Sequence, residues 1–267
     1  MFEAFLLKSL IAIIFISIAS SLLGVFVLWK RLAYFGDSLS HSILLGLVLG
    51  AMFEQNQMVM LVLFSIIFAV ILALCSNSRY FSKDTIIMIL SYSCIALAVV
   101  LNDIFLQDFQ FTSYIFGDIL TVGSQEIYAL FAIMTTVICY VIFSFKKILL
   151  INVNRDFAAI EGVKTELWDI SFLAITSLVI ACSVQIVGIF LMTALLILPA
   201  AIARIFSTSA KQMMILSLVI SIASCLLSFE IANLYDLSIS SMVVVVFAII
   251  FMISLGVNKV LMHVKSQ

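Results

Sequence analysis

Nearly uncharged stretches of about twenty residues recur along the whole chain, and they constrain the fold more than any other feature of the sequence. A bilayer core about 30 Å thick is crossed by about 20 apolar residues in a helix. Because the backbone must satisfy its own hydrogen bonds in lipid, such stretches form helices. They predict eight or nine membrane spans, near residues 4–28, 33–53, 58–76, 85–102, 125–145, 169–187, 189–206, 212–232 and 239–258.

The composition agrees with a chain that lipid surrounds. Hydrophobic residues make up 65% of the 267 residues and charged residues only 10%, whereas a soluble domain carries roughly 25% charged residues. The net charge of −1 excludes the basic surface of a nucleic-acid-binding protein. We therefore predict an all-α, polytopic transmembrane helix bundle that forms a single domain over residues 1–267.

The loops between the predicted spans alternate in charge. Lysines and arginines lie in every second loop, and the remaining loops carry only acidic residues, at Glu54, Asp103, Asp108, Glu126, Glu230 and Asp236. By the positive-inside rule, the basic loops face the cytoplasm. Nine spans then place the N-terminus outside and the C-terminus in the cytoplasm. Lys8 is the exception, and its long side chain can extend to the outer headgroups.

The second predicted span contains two ionisable residues, Asp37 and His41, four positions apart. Side chains at that spacing lie one above the other on a helix face, and a carboxylate and an imidazole are both zinc ligands. Charged groups inside a span cost about 2.5–3.5 kcal/mol each, so they tend to face a cavity. Alternatively, Asp37 caps the helix after Gly36 and His41 binds a neighbouring helix; residue types alone give this reading about equal support.

Asp118 is a further candidate ligand, between the fourth and fifth predicted spans. Its position alone favours a polar turn at the outer surface. The amphipathic stretch around it, residues 111–122, has the length of a re-entrant half-helix.

The longest polar stretch, around residues 148–168, is too short to fold independently and is predicted to lie in the cytoplasm. Within it, Asp156 is predicted to cap a short helix that ends at Gly162. Such a helix either docks into a groove on a partner or lies on the lipid headgroups. Since the chain has no GxxxxGK[ST] phosphate-binding loop, energy for uphill transport would come from an ion gradient or a partner protein.

Four segments at these positions resemble the metal-ion permeases of ABC importers, and among them the bacterial high-affinity zinc-uptake permeases. The segments are residues 34–46, 114–118, 156–164 and 187–204, in the family's order and at similar spacing. The sequence departs from the family after Asp236. The family commonly has a proline and a glycine soon after the matching aspartate, whereas this chain reads Leu237-Ser238-Ile239-Ser240-Ser241.

The resemblance implies a type II ABC importer-like permease in the bacterial inner membrane, with Zn²⁺ as transported substrate and no permanently bound cofactor. It implies a permease homodimer around a central pathway, a pair of ABC ATPase subunits that hydrolyse the ATP, and a periplasmic metal-binding protein as donor. It assigns metal contact to Asp37 and His41. The positions that match the ATPase-coupling segment are Asp156, Ala158, Ala159, Glu161 and Gly162, and those with a structural role are Gly36, Gly188 and Pro199.

Three alternatives remain at this point. A manganese or iron permease of the same family would use carboxylate and water ligands equally well. A gradient-driven carrier would use Asp37 and His41 as a proton relay, although the internal repeat typical of such carriers is not evident. An intramembrane hydrolase would need a third metal ligand that the sequence does not offer nearby.

Overall fold

The computed structural model describes residues 2–75, 80–106, 114, 117, 119 and 122–265, and the regular structure within these ranges is helical, without a strand. All but one of its helices are long and apolar enough to span a membrane; the short helix α6 is the exception. The helices are α1 (Phe2–Trp29), α2 (Ala33–Met52), α3 (Gln57–Cys75), α4 (Lys83–Leu101), α5 (Ser124–Val153), α6 (Arg155–Ile160), α7 (Thr165–Phe206), α8 (Ala210–Leu234) and α9 (Ile239–Lys265). The predicted all-α transmembrane fold is confirmed.

Two helices differ from the predicted spans at their ends. A π-helical turn, Asn102–Leu106, extends α4. The fifth predicted span ended at residue 145, whereas α5 continues through Lys146 and Lys147 to Val153. Asp118 and most of residues 111–122 lie outside the described residues, and the half-helix there stays a prediction.

The helix α7 has 42 residues, about twice the number that a bilayer requires. Gly188 interrupts it with φ 79° and ψ 166°, a backbone conformation that is essentially restricted to glycine. We call the parts on either side α7a (165–187) and α7b (189–206).

Contacts with α1 show that α7a runs antiparallel to it. Asp169, near the start of α7a, accepts a hydrogen bond from Lys30, just beyond the end of α1. One turn further along α7a, the ring of Phe172 lies 6.2 Å from that of Phe26, one turn back along α1. Residue numbers thus rise along α7a while those of its partners in α1 fall.

The second part, α7b, runs parallel to α1. Ser20 donates a hydrogen bond to the sulfur of Met192 over 3.8 Å, and one turn further on the backbone of Leu196 lies directly against Gly24. The chain therefore reverses direction at Gly188, so that α7 contributes two spans. The described helices then cross the membrane nine times, the larger of the two numbers predicted.

The alternating directions of the helices gather the basic residues at one end of the bundle, which we call the basic end. Lys30, Arg31, Lys83 and Arg155 line one cavity there, and Arg31 and Arg204 line a second. The opposite, acidic end carries the loop residues Glu54 and Asp236, Asp103 in the π-helical turn after α4, and the first turn of α5 with Glu126. Lys8 also lies at the acidic end, where it donates a hydrogen bond to Ser124.

Three helices form the centre of the bundle. About 70% of the apolar part of α1, α2 and α7 is buried within this one chain, against about 20–35% for the other five long helices. Two serine hydroxyls of α8 add polar contacts to α1, since Ser217 donates to the carbonyl of Ser21 over 3.1 Å and Ser221 to that of Ser17 over 3.3 Å. The metal candidates thus lie on a central helix.

Candidate metal site and coupling segment

Most of α2 is buried by its own chain, but one stripe near the basic end is open. Thirteen of its twenty residues are buried, whereas the side chains of Asp37 and His41 are 52% and 37% exposed. Tyr34, one turn before Asp37, is exposed on the same face. His41 lies eight residues into α2, about 12 Å along the helix, so the stripe reaches the middle of the span.

The distance between the two side chains suits a shared metal ion. His41 Nε2 lies 3.4 Å from Asp37 Oδ1, which is long for a hydrogen bond. Two ligands that each lie about 2.1 Å from a tetrahedral ion are about 3.4 Å apart. The spacing of four residues therefore brings the two side chains to a separation that is compatible with one shared ion.

The described part of the chain supplies these two ligands and no third one. Within it, no group of three or more His, Cys, Asp and Glu side chains could hold a metal ion. A structural zinc site has four protein ligands, whereas an open site keeps positions for water or another group. A metal site made of Asp37 and His41 would therefore be of the open kind.

Apolar side chains close the same face of α2 on the side of the acidic end. Leu45, one turn after His41, and Val48 are buried in a cluster with Ala98 of α4. We call this group the apolar plug. The ionisable stripe is accessible up to His41 and ends there.

Asn154 caps the short helix α6 at the basic end. It has extended backbone angles, and its side-chain oxygen accepts a hydrogen bond from the backbone N–H of Phe157 over 3.0 Å. The prediction that Asp156 is the cap is wrong, because Asp156 lies inside the first turn, where its carboxylate faces the positive end of the helix dipole. The chain leaves α6 through Gly162 at φ 78°, as predicted.

The surface of α6 is open to solvent apart from one small side chain. Ala158 is fully buried, whereas Ile160 is 82% exposed and Phe157 is also exposed. The other predicted coupling positions, Asp156, Ala159, Glu161 and Gly162, are exposed as well. A helix that presents apolar side chains outside the membrane has the surface of a docking element.

A family model agrees with this arrangement over nearly the whole chain. The model of the ABC 3 transport family matches residues 2–258. The chain belongs to the ABC 3 transport family.

Relatives of this ABC 3 chain match nearly its whole length. It is 32% identical to the high-affinity zinc uptake system membrane protein ZnuB of Haemophilus influenzae, over 96% of this chain and 98% of the relative. It is 27% identical to the manganese import system permease protein ScaB of Streptococcus parasanguinis, over 94% of this chain and 89% of the relative. The structure of PsaBC from Streptococcus pneumoniae in complex with Fab matches it with a TM-score of 0.81 at 25% identity, over 94% of this chain and 90% of that one.

The predicted structural positions of this ABC 3 chain lie where helices approach closely. A Cβ on Gly36 would lie 2.7 Å from a side-chain carbon of Leu196 in α7b. Pro199, also in α7b, is buried and leaves the carbonyl of Leu195 without its helical hydrogen bond. Gly188 is the turn between α7a and α7b. Asp118 lies outside the described residues.

Sequence reasoning missed an ionic cluster at the basic end. Asp169 accepts a hydrogen bond from Lys30, and its second oxygen lies 3.1 Å from Nη1 of Arg155. Lys30 and Arg155 belong to the basic loops, whose charges predict only which end of the bundle they occupy. No local pattern could reveal the cluster, because Lys30 and Asp169 lie 139 residues apart.

Proposed function

We propose that this chain is the permease subunit of an ATP-driven ABC importer that moves Zn²⁺ into the bacterial cytoplasm. The observation that carries the proposal is the 3.4 Å separation of Asp37 and His41 on the open stripe of α2. It is supported by the 32% identity to a relative named for zinc uptake. The inner membrane is the site of such a subunit, with the basic end in the cytoplasm.

Zinc is favoured over manganese by the ligands. Imidazole suits zinc, copper, iron and nickel, whereas manganese prefers carboxylate, carbonyl and water. One imidazole and one carboxylate therefore favour zinc. Manganese is the second candidate, because a relative of similar coverage is named for manganese import.

A homodimer explains why the stripe is uncovered. In lipid, Asp37 and His41 would cost several kcal/mol, so the stripe faces water or protein. A second copy would bring its own stripe to a shared, hydrated pathway. Water or the partner's equivalent residues would then complete the coordination of the ion.

Transport proceeds by alternating access, without chemistry on the cargo. A periplasmic metal-binding protein delivers the ion at the acidic end, and Asp37 and His41 hold it in transit. Two ligands suit a transit site, because conduction requires release as well as entry. A pair of ABC ATPase subunits docks at the basic end, and the exposed surface of α6 passes their movement to the spans.

Replacement of His41 tests the site. We expect His41→Ala to reduce zinc-dependent growth and ⁶⁵Zn uptake to background, because the remaining carboxylate binds zinc weakly, while the protein stays in the membrane. His263→Ala removes the chain's other histidine and serves as the matched control, with uptake unchanged. Normal uptake by the His41 variant would show that the site is elsewhere.

Dependence on a partner ATPase tests the class of transporter. Purified permease in proteoliposomes should take up zinc only with the ATPase, ATP and the donor protein present. Uptake driven by a proton gradient alone would instead identify a secondary carrier, with Asp37 and His41 as a proton relay.

A further inference from the structure

Asp169 joins two basic residues that come from different parts of the chain. One carboxylate oxygen accepts a hydrogen bond from Lys30, and the other lies 3.1 Å from Arg155. The side chain of Lys30 is only 8% exposed. Asp169 is therefore the common partner of both cations, and we call these three residues the ionic cluster.

The three members connect the coupling helix to the metal-binding helix. Arg155 is the first residue of α6, and Asp169 lies in the second turn of α7a. Lys30 belongs to the three-residue connection between α1 and α2. A movement of α6 that shifts Arg155 acts on Asp169 and, through it, on Lys30.

The connection between α1 and α2 is short and hydrogen-bonded, so it transmits displacement. The N–H of Leu32 donates to the carbonyl of Val27 over 3.0 Å, and the N–H of Phe35 donates to the carbonyl of Leu32 over 3.0 Å. Leu32 itself is buried in the core. A shift of Lys30 therefore reaches the first turn of α2, which lies directly before Asp37.

The electrostatics make the buried Lys30 more sensitive to the loss of its partner than the partly exposed Arg155. Burial lowers the pKa of Lys30, the Asp169 carboxylate raises it again, and Lys83 and Arg155 nearby lower it further. A buried charge is tolerated when it is paired and becomes strongly destabilising when the partner is removed. The arrangement thus favours conformations in which Asp169 stays paired with Lys30 and Arg155.

Room for movement lies next to the ionic cluster. A cavity of about 340 Å³ is lined by all three of its members, by the C-terminal turns of α3 and by Lys83 of α4. Helix ends that border a cavity can shift without first displacing close-packed side chains.

We propose that Asp169 is a positioning residue that transmits the movement of α6 to α2 through its ion pairs with Arg155 and Lys30. This proposal rests on the proposed function, since it assumes an ATPase that acts on α6 and a metal ion that binds to α2. Asp169 touches neither of them. Its role is to couple the movement of α6 to that of α2.

Two substitutions interrupt the link at different points. Arg155→Gln removes the ion pair that connects Asp169 to α6, and Lys30→Met removes the ion pair that connects it to the start of α2. In proteoliposomes with the ATPase and the donor protein, we expect each to lower the zinc transported per ATP hydrolysed by at least about five-fold, the lower end of typical coupling between sites. Because the two ion pairs act in series, the double variant should transport no less zinc per ATP hydrolysed than the single variants.

Further readouts separate transmission from structure. Zinc binding to the detergent-purified permease and its affinity for the ATPase should be unchanged in both variants, and Asp169→Glu should retain most of the coupling. The control is Glu166→Gln, since Glu166 lines the same cavity but has no ion pair among the described residues. Arg155 is partly exposed, so the loss of its pair costs at most about 1 kcal/mol and should not prevent folding.

Normal coupling in Arg155→Gln would overturn the proposal. A loss that is fully explained by weaker ATPase binding would also overturn it, as would additive losses in the double variant. Failure of the unmodified chain to take up zinc with ATPase and donor present would instead overturn the proposed function, and this inference with it.

Discussion

At the scale of single residues, the proposed function depends on two side chains that their own chain leaves uncovered. Asp37 and His41 are separated by the distance that two ligands of one tetrahedral ion require. Buried neighbours on both sides of the stripe fix the orientation of α2. The pair is therefore preorganised by packing, although the ligands themselves are exposed.

The charge of Asp37 can be removed without a change of shape. We expect Asp37→Asn to weaken zinc binding by at least about ten-fold, because a neutral amide oxygen is a poorer zinc ligand than a carboxylate. Titration of the detergent-purified permease with zinc measures this. Asp156→Asn makes the same change outside the membrane and should leave the affinity unaltered; equal affinities in the two variants would contradict the assignment of Asp37.

At the scale of the helices, Gly188 makes two spans out of one continuous apolar run. The sequence marks the boundary between the predicted spans 169–187 and 189–206 only weakly, because a single glycine stands at the turn and apolar residues flank it on both sides. The structure supplies what sequence lacks, namely which residues of α1 each part contacts.

Gly188→Ala should destabilise the protein by roughly 1–3 kcal/mol, because φ 79° with ψ 166° is strained for any residue with a Cβ. Thermal unfolding in detergent should show a lower Tm than for the unmodified chain. Gly256→Ala is the control, since a Cβ there meets nothing within 4 Å and alanine favours a helix. Equal Tm values for the two variants would argue against the turn.

Local sequence patterns identified α6 but not its cap. Asn154 and Asp156 are both good capping residues, and the choice between them depends on which one has extended backbone angles. The apolar spans were easier to predict, because their length and composition are imposed by the bilayer rather than by any particular neighbour.

At the scale of the whole molecule, the alternating loop charges predicted the arrangement of the ends. The structure gathers Lys30, Lys83, Arg155 and Arg204 at one end, which requires the helix directions that the charge pattern implied. The ionic cluster could not be predicted in this way, since the pattern shows which end a charge occupies but not which charges pair.

Reporter fusions test the nine-span topology. Fusions after Lys164 and after Ser209 should both place the reporter in the cytoplasm, because α7 crosses the membrane twice between them. A fusion after Gln55 should place it outside. Green fluorescent protein and alkaline phosphatase report the two sides; opposite sides for Lys164 and Ser209 would mean that α7 crosses once.

The apolar plug has a consequence for leakage. Leu45, Val48 and Ala98 lie on the far side of His41, and they offer a passing ion neither ligands nor water. An apolar face of this kind holds back sodium ions and protons by dehydration alone where it closes a pathway. A cell could then keep this protein in its membrane in large amounts without short-circuiting its ion gradients.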